Sequence, residues 1–144
     1  MKNAEKSNSV EIPSGDTKEE INLRKQIILD FYREWKIKNP SQRKYNMSLK
    51  DYVNIRNVSI TETCYRASKT YLSTLAVLQL DAVLMMARKV KMTAAKPKNE
   101  NQKPFNKMIL MECELPGIGS VKLIVGVKRR SLEKVQYCIT AIES

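Results

Sequence analysis

The sequence predicts an α+β fold, in which N-terminal helices pack on a C-terminal antiparallel β-meander of three or more strands. Two observations support this prediction. Apolar residues recur at helical spacing up to about residue 90, whereas they alternate with polar residues after residue 107. The composition is also that of a folded domain, since 42% of the 144 residues are hydrophobic and 28% are charged.

The N-terminal third is expected to contain one long helix. Residues 1–15 are polar and end in Pro13-Ser14-Gly15, which predicts a flexible leader. They have no apolar run of the kind found in secretory signal peptides. Residues 16–56 are expected to form an amphipathic helix and a connector. The helix should cover residues 17–38, because Asp16 and Glu19 have the spacing of a capping box and Asn39-Pro40 ends helical backbone.

This helix has an apolar stripe that must be buried. Ile28, Phe31 and Trp35 lie on the stripe, opposite a charged side. We expect them to pack on the domain or to bind a partner, which includes a second copy of the chain in a homo-oligomer. The connector that follows, residues 40–58, fits a short turn of helix and a short strand equally well.

A second unit, the α+β domain itself, is predicted over residues 57–144. Ser59-Ile60-Thr61-Glu62 is a capping-box pattern, so a helix should begin at Ile60. It either continues to Val90 or divides, and the weak helix formers near residue 70 favour two helices, 60–68 and 72–90.

The C-terminal region is predicted to be a linker followed by a sheet. Residues 91–107 are polar and basic and form the linker. Alternating residues predict strands over 108–115, 120–130 and 134–143, joined by short turns. In the last strand, Val135, Tyr137 and Ile139 should share the apolar face, and Gln136 should lie on the polar side. The helices should cover the apolar face of the middle strand, which consists of Val121, Leu123, Val125 and Val127.

The composition excludes several classes of enzyme and site. The chain has no histidine, which removes His-ligated zinc, Ser-His-Asp and Cys-His catalysis and a histidine general base. Its four glycines form no nucleotide-binding fingerprint. The three cysteines form no CxxC pair and no apolar run is long enough to span a membrane, so we expect reduced thiols and a cytoplasmic protein without a metal, cofactor or membrane anchor.

The charge is strongly positive, with a net charge of +11 at pH 7. Basic residues concentrate between residues 88 and 107 and between residues 122 and 134, which suits a phosphate backbone or an acidic protein surface. The bases of a single strand stack on aromatic side chains, so the further candidates are Tyr32, Trp35, Tyr45, Tyr52, Tyr65, Tyr71 and Tyr137. The candidate nucleic-acid-binding residues are Arg66, Lys69, Lys122, Lys128, Arg129, Arg130, Lys134 and Tyr137.

Several segments together resemble a known family. They are Ser59-Ile60-Thr61-Glu62, Leu80-Asp81-Ala82-Val83-Leu84-Met85-Met86-Ala87, Lys96-Pro97-Lys98-Asn99, Val121-Lys122-Leu123-Ile124-Val125 and Val135-Gln136-Tyr137-Cys138-Ile139. In this order they resemble the BECR (barnase–EndoU–colicin–RelE-like) nuclease-like domains of phage and mobile-element polyproteins. The resemblance covers residues 57–143.

The resemblance implies an RNA-binding or RNA-cleaving ancestry in a phage or mobile element, with RNA preferred over DNA. Relatives often have a histidine after the first capped helix, where this chain has Arg66, Ser68 and Lys69. This chain is similar in this respect to the RelE-like branch of the family, which works with Arg, Lys and Tyr instead of histidine. No catalytic residue is therefore assigned from the sequence. If the protein is an enzyme, the resemblance implies a ribonuclease.

Two functions follow from these observations. The first is nucleic-acid binding, with RNA as the expected ligand. The alternative is a catalytically inactive interaction or inhibitor module, for example an anti-defence protein encoded by a phage or mobile element. The absence of histidine favours the alternative, whereas the net charge of +11 favours nucleic-acid binding.

Overall fold

Residues 11–142 are described by the computed structural model, and within them four α-helices accompany a six-stranded mixed sheet. The helices are α1 (Lys18–Lys38), α2 (Asn57–Ala67), α3 (Tyr71–Val77) and α4 (Leu80–Met86). The strands are β1 (Arg43–Asn46), β2 (Asp51–Asn54), β3 (Arg88–Ala94), β4 (Phe105–Leu115), β5 (Gly119–Lys128) and β6 (Lys134–Ala141). The predicted α+β class is confirmed, and so are the three strands of the meander.

Helix α1 begins one residue later than expected, with Thr17 as its N-cap. The Thr17 hydroxyl accepts a hydrogen bond from the Glu20 backbone N–H at 3.2 Å, and the Glu20 carboxylate accepts one from the Thr17 N–H at 3.4 Å. The apolar stripe packs within the chain, since Ile28 and Trp35 share the main core with Val53 of β2. Residues 16–56 and the domain after residue 57 therefore have one core in common.

The connector after α1 forms the β1–β2 hairpin. The side-chain amide of Asn46 is buried and donates to the carbonyl oxygens of Leu84 and Ala87, which ties the hairpin to α4. The sheet order is β1-β2-β6-β5-β4-β3. All pairs are antiparallel except β2 and β6, which are joined in parallel by the single pair Asn54 and Val135.

Helix α2 begins at Asn57, so the predicted start at Ile60 is wrong. Ser59 lies in the first turn of the helix instead of preceding it. Its hydroxyl accepts a hydrogen bond from the Arg56 N–H at 3.0 Å and donates to the Gln136 carbonyl oxygen. The Ser59 hydroxyl, which the sequence pattern assigned to a helix cap, therefore joins α2 to β6.

The expected helix over 72–90 is also wrong. It is divided into α3 and α4 by a turn at residues 78–79, and Ala87 has extended backbone that ends the second helix. Thr70 is the N-cap of α3, where its hydroxyl accepts from the Ser73 N–H at 3.2 Å. Residues 88–94, expected to end that helix and to begin the linker, form the edge strand β3, whose seven residues are all exposed.

The two faces of the sheet differ. Helices α3 and α4 pack on one face, α2 lies along β6, and α1 packs on α2 and α3. The main core lies between these helices and the sheet, and it includes the predicted face of β5. We call the opposite side the outer face. It carries a smaller cluster of buried residues, Phe105, Met108, Val135, Tyr137 and Cys138.

A β-bulge in β6 determines which residues reach the outer face. Val125 pairs with Gln136 and Ile124 pairs with Cys138, which leaves Tyr137 without a partner on β5. Gln136, expected on the polar side, is fully buried under the helices and donates to the hydroxyls of Tyr32 and Thr63. Tyr137 shares the outer face with Val135, but not with Ile139 as the alternation predicted.

Two predictions concern the ends of the chain and membranes. Residues 11–15 of the expected leader are held in part by Arg24, while residues 1–10 and 143–144 lie outside the described part of the chain. Within the described part, no helix is both long and apolar enough to cross a membrane.

Candidate nucleic-acid interface

A cleft of about 430 Å³ opens on the outer face, and we call it the basic cleft. Four cationic side chains line it, those of Arg66, Lys69, Lys96 and Lys122. Among the described residues that line it there is no carboxylate. The cleft therefore concentrates positive charge over a concave surface.

Separate elements bring these cations together. Arg66 is in the last turn of α2, and Lys69 is in the turn that leads to α3. Lys122 reaches the outer face because its neighbours Val121 and Leu123 alternate with it and face the helices. Lys96 follows β3. Its backbone N–H donates a hydrogen bond to the Gln102 side-chain oxygen at 2.9 Å.

A buried carboxylate lies beside the cleft. Glu62 is 7% exposed, and its carboxylate accepts hydrogen bonds from Arg66 Nε at 3.2 Å and from the Asn101 amide. The Arg66 guanidinium carbon also lies 5.8 Å from the centroid of the Tyr137 ring. Sequence reasoning assigned Glu62 only to a helix cap, although its spacing of four residues from Arg66 on one helix was a signal of this pair.

Tyr137 lines the floor of the cleft. Its ring is 2% exposed and packs edge-to-face on Phe105, with centroids 6.2 Å apart, so no base can stack on it. Its hydroxyl lies beside the side chains of Gln102 and Glu62 but forms no hydrogen bond of regular geometry within residues 11–142. The phenol has an ordinary pKa of 10.0, which burial raises further, so it is protonated at neutral pH and able to donate to an anion.

The neighbouring thiol is not activated. Cys138 lines the same floor, and burial raises its pKa to about 11 despite the opposing charges of Arg66 and Lys122. A thiol that remains protonated at neutral pH is a poor nucleophile. The chemistry of the cleft is therefore that of cations and hydrogen-bond donors.

The other predicted cations lie apart from the cleft, around the turn between β5 and β6. Lys128 Nζ lies 2.9 Å from a Glu133 carboxylate oxygen, and Lys134 Nζ lies 2.7 Å from Asp51. Arg129 Nε donates to the Lys103 carbonyl oxygen at 3.3 Å. Arg130 is exposed.

The ion pairs of this turn therefore reduce its free positive charge. By contrast, Lys69, Lys96 and Lys122 form no ion pair with any described carboxylate. The structure thus divides the predicted basic surface into a cleft, where three lysines are unpaired and Arg66 pairs with Glu62, and a turn, where Lys128 and Lys134 are paired.

The predicted partner-binding residues of α1 are mostly internal. Ile28 is fully buried and Trp35 is 5% exposed, with Trp35 Nε1 donating to Asp81 at 2.7 Å. Phe31 is half-buried and packs against the main core. Ile28 and Trp35 therefore stabilise their own domain and are not presented to a partner.

Comparisons of the chain with family models, with curated proteins and with solved structures find no match. The resemblance to BECR domains stays a prediction. Within residues 11–142, no group of three or more Cys, Asp or Glu side chains is placed to hold a metal ion.

Proposed function

We propose that the basic cleft binds the phosphate backbone of a nucleic acid, with RNA as the ligand. The observation that carries this proposal is the convergence of Lys69, Lys96 and Lys122, none of them in an ion pair with a described carboxylate, around one cleft. Each phosphate that such a cation neutralises releases counterions, which favours binding.

The floor of the cleft supports the same function. The Tyr137 hydroxyl is buried beside Gln102 and Glu62 and forms no hydrogen bond of regular geometry in the described chain, and a poorly satisfied buried group is costly. A phosphate oxygen in the cleft would supply an acceptor. The preference for RNA over DNA is taken from the resemblance to BECR domains.

Salt-dependent binding tests the proposal. We would measure the affinity for a labelled 20-nucleotide RNA by fluorescence anisotropy at several salt concentrations. The log–log slope should be about −0.7 to −0.9 per phosphate contact. The triple variant Lys69→Ala, Lys96→Ala and Lys122→Ala should bind more weakly, with a slope smaller by up to about three contacts.

A matched control removes the same charge from α1. The triple variant Lys18→Ala, Lys36→Ala and Lys38→Ala alters three lysines away from the cleft, none of them in an ion pair with a described carboxylate. It should keep most of the affinity and the slope of the wild-type protein. Equal losses in the two triple variants would show that net charge, and not the cleft, binds the RNA.

RNA cleavage is the second candidate function, and Glu62 favours it. A buried carboxylate that pairs with a guanidinium beside a phosphate site can accept a proton while the cation stabilises charge on the phosphate. Cleavage of the same RNA on a gel should be lost in Glu62→Gln, with binding retained. RNA that stays intact with the wild-type protein would refute catalysis and leave the binding proposal in place.

The interaction-module alternative is favoured by the edge strand β3. Val90 and Met92 are 53% and 40% exposed there, and an unpaired strand edge can accept a strand from another protein. Three cations and a bulge near Val90 act against such pairing. A cleft variant that binds RNA as well as the wild-type protein would favour this alternative.

A further inference from the structure

The β1–β2 hairpin exposes two aromatic side chains that belong to neither cluster of buried residues. Tyr45 and Tyr52 face each other across the hairpin, with ring centroids 5.5 Å apart and planes at 81°. They are 47% and 40% exposed, and the Arg43 guanidinium lies 4.0 Å from the centroid of Tyr52. We propose that this tyrosine pair stacks unpaired bases of a single strand whose backbone lies in the basic cleft. The inference rests on the proposed function.

The strand pairing places the tyrosine pair on the outer face. Val53 is buried in the main core, so its neighbours Tyr52 and Asn54 face the other side. Asn54 pairs with Val135, which belongs to the same outer cluster as Tyr137. The tyrosine pair and the basic cleft therefore open on the same side of the sheet.

The distance between them suits a short strand. Tyr52 precedes the Asn54–Val135 pair by two residues, and Tyr137 follows it by two, on adjacent parallel strands. A rise of about 3.3 Å per residue and a strand spacing of about 4.8 Å give a separation of about 14 Å. That length corresponds to roughly four stacked nucleotides at about 3.4 Å each.

The turn between β5 and β6 contacts the elements that carry the two sites. At one end, Arg129 donates through Nε to Lys103 and through its backbone N–H to the Pro104 carbonyl oxygen, next to Gln102 of the cleft. At the other end, Lys134 pairs with Asp51 of the hairpin. Arg130 of this turn is exposed.

Stacking on tyrosines selects unpaired bases. Every base has a flat face that stacks on an aromatic ring, so the contact is tolerant of sequence. In a duplex those faces are already covered by neighbouring bases. The tyrosine pair therefore makes single-stranded nucleic acid the preferred ligand class.

Two double variants of the full chain test the inference. Tyr45→Leu with Tyr52→Leu keeps apolar side chains on the hairpin but removes stacking, whereas Tyr45→Phe with Tyr52→Phe keeps stacking. With a labelled 12-nucleotide oligouridylate, the Leu variant should bind about tenfold more weakly and the Phe variant within about twofold of wild type. The salt slope should stay unchanged in both, because no charge is lost. Binding to a 12-base-pair RNA duplex should not change.

Each outcome decides the inference. A Leu variant that binds oligouridylate like the wild-type protein, or a Phe variant that loses as much affinity, overturns it. If the cleft variant loses salt-dependent binding while the Leu variant does not, the inference fails and the proposed function stands. If the wild-type protein binds neither probe, both fail.

Folding is checked separately. Circular dichroism melts show whether the Leu variant keeps its structure, and the single variant Tyr45→Leu leaves Tyr52 to hold the hairpin. That variant should still lose about threefold in affinity for oligouridylate. Unchanged binding in this folded variant also overturns the inference.

Discussion

Arg24 is a buried cation that is stabilised by carbonyl groups. It is fully buried, and Nε donates to the Ser68 carbonyl oxygen at 2.7 Å. Nη1 donates to the carbonyl oxygens of Pro13 at 2.7 Å and Gly15 at 2.6 Å, while Nη2 reaches that of Lys69 at 3.3 Å. These oxygens include the C-terminal end of α2, where the helix dipole favours a positive charge.

Replacing this arginine should destabilise the fold. Arg24→Met removes all four hydrogen bonds and leaves buried carbonyl oxygens unpaired, so we expect a loss of about 3 kcal/mol in the free energy of unfolding. Urea denaturation measures the change. The control Arg33→Met alters a side chain that is 65% exposed, and its effect should stay within about 0.5 kcal/mol. Equal effects in the two variants would contradict this role of Arg24.

At the scale of an element, α1 stabilises the fold through the buried side chain of Trp35. Trp35→Ala should lower the free energy of unfolding by about 3 kcal/mol or more, because it leaves a cavity and removes the hydrogen bond to Asp81. Trp35→Phe fills most of the space and should cost less. Thermal melts measure both variants. An unchanged melting temperature in Trp35→Ala would show that the helix is not needed for the fold.

The sequence predicted those elements whose apolar residues recur regularly along the chain. Helix α1 has one apolar stripe, and β4, β5 and β6 are long strands in which apolar and polar residues alternate, although the bulge in β6 buries consecutive residues. Strands β1 and β2 have four residues each, which is too short for a period to be recognised. Strand β3 is exposed along its whole length, so burial imposes no alternation on its sequence.

The candidate site was predictable only in part, because distant contacts arrange it. Arg66, Lys69 and Lys122 were identified by their charge, and the fold does bring them to one cleft. The pairing of Lys134 with Asp51 joins residues 83 positions apart, and no local pattern indicates it. The bulge at Tyr137, which buries that ring, depends equally on the pairing with β5.

At the scale of the whole molecule, the ion pairs of the β5–β6 turn make stability depend on pH. The hydrogen bond from Lys134 lowers the pKa of Asp51 below its ordinary value of 3.8. Burial of Glu133 opposes ionisation, but the hydrogen bond from Lys128 and the charge of Arg56 lower its pKa below the ordinary 4.5. A carboxyl group with a lowered pKa stabilises the fold when it is ionised, and this contribution is lost as the pH falls.

We therefore expect the urea midpoint to fall between about pH 5 and pH 3. Glu133→Gln should lower the midpoint at pH 7 and make the decline in acid shallower, because one of the responsible groups is gone. Glu34→Gln is the control, since this exposed residue forms no ion pair with a described residue. A variant Glu133→Gln with the pH profile of the wild-type protein would contradict the assignment.

The central position of β6 affects the chain while it is being synthesised. Asn54 and Lys134, which meet where β2 joins β6, are 80 residues apart. At about 5–20 residues per second, the ribosome needs roughly 4–16 s to make that stretch. During this time the hairpin has no sheet to join, and the nascent segment exposes the later core residues Ile28, Trp35 and Val53 to solvent. Until β6 has been made, this apolar surface is a potential site of aggregation.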